Sequence, residues 1–346
     1  MADHRALPYE DELVCLEAGG LTALINPARG GDVLSLTHEA TQIDVLWKSR
    51  RALREIPLAG PLRQDAGSFY DEYPGGIQEL FQNTADSTTV EGADLPFHGE
   101  ACRIPWSIEH GEGDDRASVA LRTGLRRVPV SMKKTIQLDR EVPRLTISST
   151  VENTSSQRIP YSWGYHPAFG RDLLEGGCRL YLPADDVRIH GERFSARQWW
   201  EPGTRQELKS IGSTRFLDLR DSDDQGADLM YVTCREAWFV ARNESTGLTI
   251  TCTWSLDEMP FLWVWQECHD PVGYPWWGLE HVAGLEPHSN APARELRSHI
   301  DQRNACWLDA GEARSASLRL SVTQTDLASH PVGVDALGQP ILEEGN

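Results

Sequence analysis

The chain has 346 residues, 25% of them charged and 40% hydrophobic, which is ordinary for a globular protein and sufficient for a large core. Its formal net charge of −19 argues against nucleic acid or an anionic membrane surface as a partner. Seven scattered cysteines without a CxxC motif, and the lack of any apolar run near about 18 residues, predict a reduced, soluble, cytoplasmic protein.

The predicted elements are short strands separated by turn signals. Residues 23–36 indicate two strands broken by the turn-rich run at 26–31. Apolar residues with period two predict further strands within 128–138 and 145–151. Alternation on both sides of 243–247 predicts a hairpin, and residues 316–322 predict a last amphipathic strand.

No segment carries a helical stripe of about 12 residues. The recurring strands therefore predict an all-β fold, a large antiparallel β-sandwich or a barrel, formed by a single domain over residues 1–346. From about residue 327 the chain becomes polar, which predicts a loosely docked C-terminal tail.

A candidate site residue, His166, lies in the aromatic stretch 161–170, which reads YSWGYHPAFG. Pro167 restricts the preceding histidine to an extended conformation, so the imidazole is held stiffly on a strand. Taken alone, this pattern also fits a half-buried structural histidine. Two other segments favour a site: His98 in a loop flanked by proline and glycine, and Glu286 at the end of an apolar strand.

Together these segments resemble the aldose 1-epimerase (galactose mutarotase-like) family. His98-Gly99 followed by Trp106 is similar to its first histidine motif, residues 165–169 to its His-Pro-x-Phe motif, and Leu285-Glu286-Pro287 to its Glu-Pro motif. The resemblance extends from about residue 30 to residue 322. It implies a galactose mutarotase-like β-supersandwich with an open cleft, and an isomerase that interconverts the α and β anomers of a hexose.

In the reaction that the resemblance implies, a base removes the O1 proton of a sugar while an acid protonates the ring oxygen, and the opened ring recloses on the other face. We expect Glu286 to be the base, His166 the acid and His98 a hydrogen-bonding partner of the ring or carbonyl oxygen. The reaction requires no cofactor and no metal. The expected partner is a small-molecule sugar, with the protein itself a monomer or homodimer.

Further residues are predicted to contact the substrate. Polar side chains after a Gly-Gly turn and indoles that could stack on a sugar face are candidates, although core packing also explains each indole alone. The candidates are Gln78, Asn83, Trp106, Trp265, Glu267 and Trp277.

The chain also departs from the better-known family members. Residues 75–83 replace an Asn-Arg-Ile stretch, and Ala168 replaces a common tyrosine. In the better-known members an aspartate holds sugar hydroxyls, and only Asp185 and Asp186 are candidates for that role here. These departures indicate a divergent branch, which includes hexose-6-phosphate epimerases, and they leave the sugar open.

Three alternatives remain. The substrate could be a phosphorylated or otherwise acidic sugar, with an anion site drawn from Arg50, Arg51, Arg54 or Arg63. The fold could serve a non-catalytic carbohydrate-binding protein. His98, Glu100 and His166 also superficially suit a metal-dependent β-barrel isomerase or oxygenase.

Overall fold

The computed structural model describes residues 13–50, 66–109 and 116–344. Its early strands are β1 (Val14–Ala18), β2 (Leu21–Asn26), β3 (Asp32–His38), β4 (Ile43–Asp44), β5 (Ile77–Gln82), β6 (Thr88–Val90), β7 (Ala93–Leu95), β8 (Ser107–Glu109), β9 (Ser118–Gly124), β10 (Val130–Leu138), β11 (Arg144–Asn153) and β12 (Ile159–Phe169). The later strands are β13 (Cys178–Leu182), β14 (Asp186–Ile189), β15 (Arg205–Glu207), β16 (Lys209–Ile211), β17 (Thr214–Leu219), β18 (Gly226–Thr233), β19 (Trp238–Asn243), β20 (Leu248–Trp254), β21 (Phe261–Cys268), β22 (His281–His288), β23 (Cys306–Leu308), β24 (Ala313–Gln324), β25 (Ser329–Val334) and β26 (Pro340–Glu344). The helices are α1 (Ala66–Glu72), α2 (Arg171–Leu174) and α3 (Leu296–Asp301).

Two large antiparallel sheets contain most of these strands. A 12-stranded sheet has the order β1-β2-β3-β5-β12-β22-β21-β18-β14-β15, with β23 beside β12 and β4 beside β3. A 10-stranded sheet has the order β16-β17-β13-β19-β20-β24-β11-β10-β9-β8. The prediction of an all-β fold with large antiparallel sheets is confirmed.

Alternation along the central strands of the larger sheet separates a core face from a second face. On β22, Ala283 and Leu285 enter the main hydrophobic core, while Glu286 belongs to the opposite face. On β12, Tyr165 enters the core and His166 takes the opposite face. Because side chains alternate across a strand, a buried second face gives strands with continuous burial rather than a polar side.

One buried ion pair joins the two sheets beneath that region. Nζ of Lys134 on β10 lies 3.0 Å from Oε2 of Glu79 on β5. The Glu79 carboxylate also accepts hydrogen bonds from the indole of Trp163 (2.9 Å) and the hydroxyl of Ser149 (3.0 Å). These partners offset the desolvation of the carboxylate, so the pair fixes β5 and β12 against the smaller sheet.

Several sequence predictions of local structure are confirmed. β2 and β3 form the two strands expected within 23–36, and β19 and β20 form the expected hairpin.

The region predicted as a loosely docked tail contains the hairpin β25–β26, in which His330 is buried and Arg242 donates to the Ser329 carbonyl. Within the described ranges, none of the helices is long and apolar enough to cross a bilayer.

Candidate functional site

A cavity of about 480 Å³ lies on the second face of the 12-stranded sheet. Side chains from β12, β14, β18, β21 and β22 form its floor, and α1, α3, the segment just before α3 and several loops contribute its walls. The wall is rich in aromatic rings: Phe69, Tyr70, Tyr73, Phe97, Phe194, Tyr231, Trp263, Trp265 and Trp276. His98, His166 and Glu286, the three residues predicted to be catalytic, all line this cavity.

His166 and Glu286 lie side by side on the cavity floor. Nε2 of His166 is 3.4 Å from Oε1 of Glu286, and the hydroxyl of Tyr73 is 3.1 Å from Nδ1 of the same imidazole. All three side chains are buried. A hydrogen bond to the distal ring nitrogen fixes both the orientation and the tautomer of a histidine, so Tyr73 positions His166 toward Glu286.

The second oxygen of Glu286 is held by another histidine. Oε2 lies 3.2 Å from Nε2 of His288, whose ring stacks on Trp263 with centroids 3.7 Å apart. Two glycines make room for this arrangement. A Cβ on Gly164 would lie 2.3 Å from Nδ1 of His288, and a Cβ on Gly284 would lie 2.3 Å from Oε1 of Glu286.

Burial sets the proton positions in this chain of four residues. It raises the pKa of Glu286 well above its usual range and lowers the pKa of His166 to about 4. It also lowers the pKa of His288 well below the usual range. An uncharged arrangement follows, in which His288 donates to Oε2 of Glu286, the protonated carboxyl faces Nε2 of His166 through Oε1, and Nδ1 of His166 donates to Tyr73.

His98 approaches the same point from a loop. Its φ of 62° lies in the left-handed region, which is uncommon for a residue with a side chain. Its ring lies 5.6 Å from the ring of His166, and Nδ1 donates a hydrogen bond to the carbonyl of Thr84 at 2.8 Å. Burial lowers the pKa of His98 well below its usual range, so Nε2 is a hydrogen-bond acceptor. This differs from the expected donor role toward a ring or carbonyl oxygen.

Comparison with protein families identifies the chain. The family described as "Domain of unknown function (DUF4432)" matches residues 12–322. The chain belongs to the DUF4432 family. None of the curated proteins compared with it matches.

Solved structures share the fold of this DUF4432 protein. The Slr1438 protein from Synechocystis sp. PCC 6803 is 20% identical with a TM-score of 0.66, covering 94% of this chain and 100% of its own. A protein from Escherichia coli K12, provisionally named an aldose 1-epimerase, is 15% identical with a TM-score of 0.64 over 90% and 99% of the two chains. A galactose mutarotase-like protein from Lactobacillus casei ATCC 334 is 16% identical with a TM-score of 0.61 over 90% and 100%.

The predicted substrate contacts divide between the cavity and other places in this DUF4432 fold. Trp265 lines the cavity, with its ring 6.0 Å from that of His166. Gln78 does not line it, because its amide donates to Oδ2 of buried Asp32 at 2.7 Å. Asn83 is also elsewhere, since its amide donates to backbone carbonyls, including that of Asp86 at 2.7 Å.

Three other predicted contacts also lie away from the cavity wall. Trp106 is in the core, where its indole donates to the Ala101 carbonyl and its ring lies beneath Lys134. Glu267 is buried and accepts the N–H of Asp270, and burial raises its pKa to about 8. Trp277 is 62% exposed, and its neighbour in sequence lines the cavity instead.

The other predicted polar groups are engaged outside the cavity. Asp185 pairs with Arg235, and Asp186 pairs with Arg205 at 2.9 Å. Arg50 does not line the cavity, and Arg51, Arg54 and Arg63 lie outside the described residues. Oε2 of Glu100 accepts two backbone N–H groups, from Arg126 and Arg127. Among the described residues, no group of three or more His, Cys, Asp or Glu side chains is arranged to hold a metal.

Sequence reasoning missed several residues that line the cavity or support the residues lining it. Tyr73 stands just before the Gly-Gly turn and His288 two residues after Glu286 on the same strand face, so both could have been found from spacing around the motifs. Other cavity residues come from segments that carry no recognisable motif. These are Asp86, Arg188, His190, Glu192, Tyr231, Arg294 and Glu295.

Proposed function

We propose that this DUF4432 protein is an aldose 1-epimerase, which interconverts the α and β anomers of a sugar. The observation that carries the proposal is the buried pair of His166 and Glu286, with 3.4 Å between Nε2 and Oε1, on the floor of an aromatic cavity. Anomer exchange needs one group that gives a proton and one that takes a proton, placed at two oxygens on the same carbon.

The reaction balances with these two groups alone. One group takes the proton from O1, the bond between C1 and the ring oxygen breaks, and the other group protonates the ring oxygen. Rotation about the C1–C2 bond presents the other face of the aldehyde, and the two transfers then run in reverse. Each positioned acid or base typically contributes about 10²–10⁴-fold to the rate.

The protonation states of His166 and Glu286 assign the first transfers. Because burial favours protonated Glu286 and neutral His166, the imidazole Nε2 takes the O1 proton and the carboxyl gives its proton to the ring oxygen. This order is the reverse of the sequence expectation, which made Glu286 the base. Ring closure reverses both transfers, so each group acts once as acid and once as base.

The remaining cavity groups orient the sugar. Nε2 of His98 can accept a hydrogen bond from a sugar hydroxyl, because its other ring nitrogen is occupied by Thr84. Trp265 and Trp276, whose ring centroids are 5.6 Å apart, offer apolar faces on which the C–H side of a pyranose can stack. Bound sugar and indoles together exclude water, which strengthens the hydrogen bonds at C1.

The test is two-dimensional exchange NMR on aldoses at anomeric equilibrium, neutral and acidic, with wild-type protein and His166→Gln. We expect the wild type to accelerate exchange of at least one sugar, and the variant to lose about 10²–10⁴-fold of that acceleration. Saturable sugar binding without accelerated exchange would contradict the enzyme and identify a carbohydrate-binding protein on the same fold.

A further inference from the structure

Two arginines line the cavity on the side away from His166. Arg188 lies on β14, and Arg294 lies just before α3. Both side chains are exposed. In the described part of the chain, neither guanidinium forms an ion pair or a hydrogen bond. Neither arginine takes part in the proposed proton transfers, so these two cationic donors in the cavity have no assigned role.

Strand register relates Arg188 to the reacting groups. Arg188 pairs with Tyr231, Tyr231 pairs with Trp263, and Trp263 pairs with Glu286 across four neighbouring strands. These four residues therefore form one row on the cavity face of the sheet. Three steps between strands place the backbones of Arg188 and Glu286 roughly 14 Å apart. A bound sugar whose C1 lies at Glu286 thus extends along the row toward the arginine.

Tyr231 links Arg294 to the same row. Its hydroxyl accepts the backbone N–H of Ala293 at 3.0 Å, which anchors the segment that carries Arg294. Burial and the Glu286 carboxyl raise the pKa of Tyr231, whereas the charges of Arg294 and Arg188 oppose the rise. Tyr231 therefore stands between Glu286 and Arg188 in the row and binds the segment that carries Arg294.

Three carboxyl groups also line the cavity and limit what the arginines can bind. Glu192 and Glu295 raise the pKa of Asp86 in addition to the effect of burial, so the three acids are close to one another. Glu295 also accepts a hydrogen bond from the hydroxyl of Ser298. Like charges disfavour a group that brings a double negative charge, so the site favours a monoanion such as a carboxylate over a dianionic phosphate.

We infer that Arg188 and Arg294 form a subsite for an oxyanion on the sugar carbon farthest from C1, which makes an acidic monosaccharide the substrate class. The inference rests on the proposed function for the placement of C1 at Glu286. A guanidinium binds carboxylate and phosphate oxygens through paired N–H groups, which neutral hydroxyls do not match. The cavity, at about 480 Å³, is within the usual size of small-molecule sites, about 300–1,000 Å³.

The test is calorimetric binding of glucuronate, glucose 6-phosphate and glucose to wild-type protein, Arg188→Ala, Arg294→Ala and the double variant. Arg215→Ala is the matched control, because it removes an exposed arginine from the 10-stranded sheet. We expect wild type to bind an acidic sugar at least about tenfold more tightly than glucose, and the double variant to lose that preference. We expect Arg215→Ala to retain the preference for the acidic sugar and Arg188→Lys to retain part of that preference.

Binding and exchange are measured separately so that the two proposals can fail independently. A preference for acidic sugars that disappears in the double variant supports the subsite even when no sugar exchanges anomers faster. Rapid exchange of glucose with no preference for either acid overturns the subsite and leaves the enzyme. A preference that survives the double variant, or no binding of either acid at its highest soluble concentration, also overturns the subsite. Comparing the two acids shows whether the group recognised is a carboxylate or a phosphate.

Discussion

Nε2 of His288 lies 3.2 Å from Oε2 of Glu286, on the carboxyl oxygen opposite the one that faces His166. The carboxyl group is therefore held through Oε2 by His288. Oε1, which faces His166, is the oxygen available to exchange a proton with a sugar. Nδ1 of His288 is buried and has no hydrogen-bond partner among the described residues, which is consistent with a neutral ring that carries its proton on Nε2.

Replacing His288 by Phe tests this support. The ring that stacks on Trp263 is kept, but the hydrogen bond to Glu286 is lost. We expect kcat for anomer exchange to fall several-fold, because a hydrogen bond between neutral groups is worth about 0.5–1.5 kcal/mol. KM is expected to change little, since His288 does not line the cavity. An unchanged kcat would show that Glu286 is positioned without His288.

Gly164→Ala tests whether position 164 must lack a Cβ so that the His288 ring can pack beside it. The added Cβ would lie 2.3 Å from Nδ1 of a ring that cannot move away from Trp263. We expect a loss of about 1–3 kcal/mol in the free energy of unfolding, together with reduced anomer exchange. Gly124→Ala is the matched control, because no atom of the described part of the chain lies within 4 Å of a Cβ at that strand position. Equal melting temperatures for the two variants would contradict the account.

Tyr73→Phe tests the tautomer of His166. The ring packs against Phe69, so the variant retains its packing and loses only the hydroxyl that is 3.1 Å from Nδ1. We expect a stability loss of about 1 kcal/mol, a lower kcat and an altered ¹⁵N chemical shift pattern for His166. If the shifts of His166 were the same in both proteins, Tyr73 would have no role in fixing the tautomer.

Acidification tests the protonation state of His166. Its pKa is lowered from 6.5 to about 4, so between these values the unfolded chain binds more protons than the folded protein. The contribution of His166 to stability therefore falls as the pH drops from 6.5 to about 4. His166→Gln should make this fall smaller, by on the order of 3 kcal/mol, in denaturant titrations at several pH values. Parallel curves for the two proteins would mean that His166 is not held neutral.

Trp276→Ala and Trp277→Ala form a matched pair of neighbouring substitutions. Trp276 lines the cavity and lies 5.6 Å from Trp265, whereas Trp277 is 62% exposed. We expect Trp276→Ala to raise KM several-fold through the loss of a stacking face, and Trp277→Ala to leave it unchanged. The reverse result would restore the sequence prediction for Trp277.

The fold was readable from the sequence because strand alternation and turn residues are local signals. The same locality made His166 and Glu286 recognisable as candidates, since they lie on strands flanked by proline and glycine, and both line the cavity. Their direct pairing was not readable, since it depends on β12 lying beside β22, more than a hundred residues away along the chain.

Several predicted substrate contacts lie away from the cavity for a related physical reason. Gln78 and Asn83 read as cleft residues because polar groups alternate there with apolar ones. In a strand buried on both faces, polar groups instead satisfy one another or the backbone, as these two amides do. Arg188 and Arg294 carry no local signal, because only the strand register and a distant loop bring them to the cavity.

The most direct test of the central claim is anomer exchange by NMR for wild type, Glu286→Gln and Glu258→Gln. Glutamine keeps the shape of the side chain but can neither give nor take the proton. Glu258 provides the control, since it pairs with Arg314 away from the cavity. We predict accelerated exchange in wild type and Glu258→Gln, and a loss of about 10²–10⁴-fold in Glu286→Gln. Undiminished exchange in Glu286→Gln would contradict the account, because the carboxyl group would then have no part in the proton transfers.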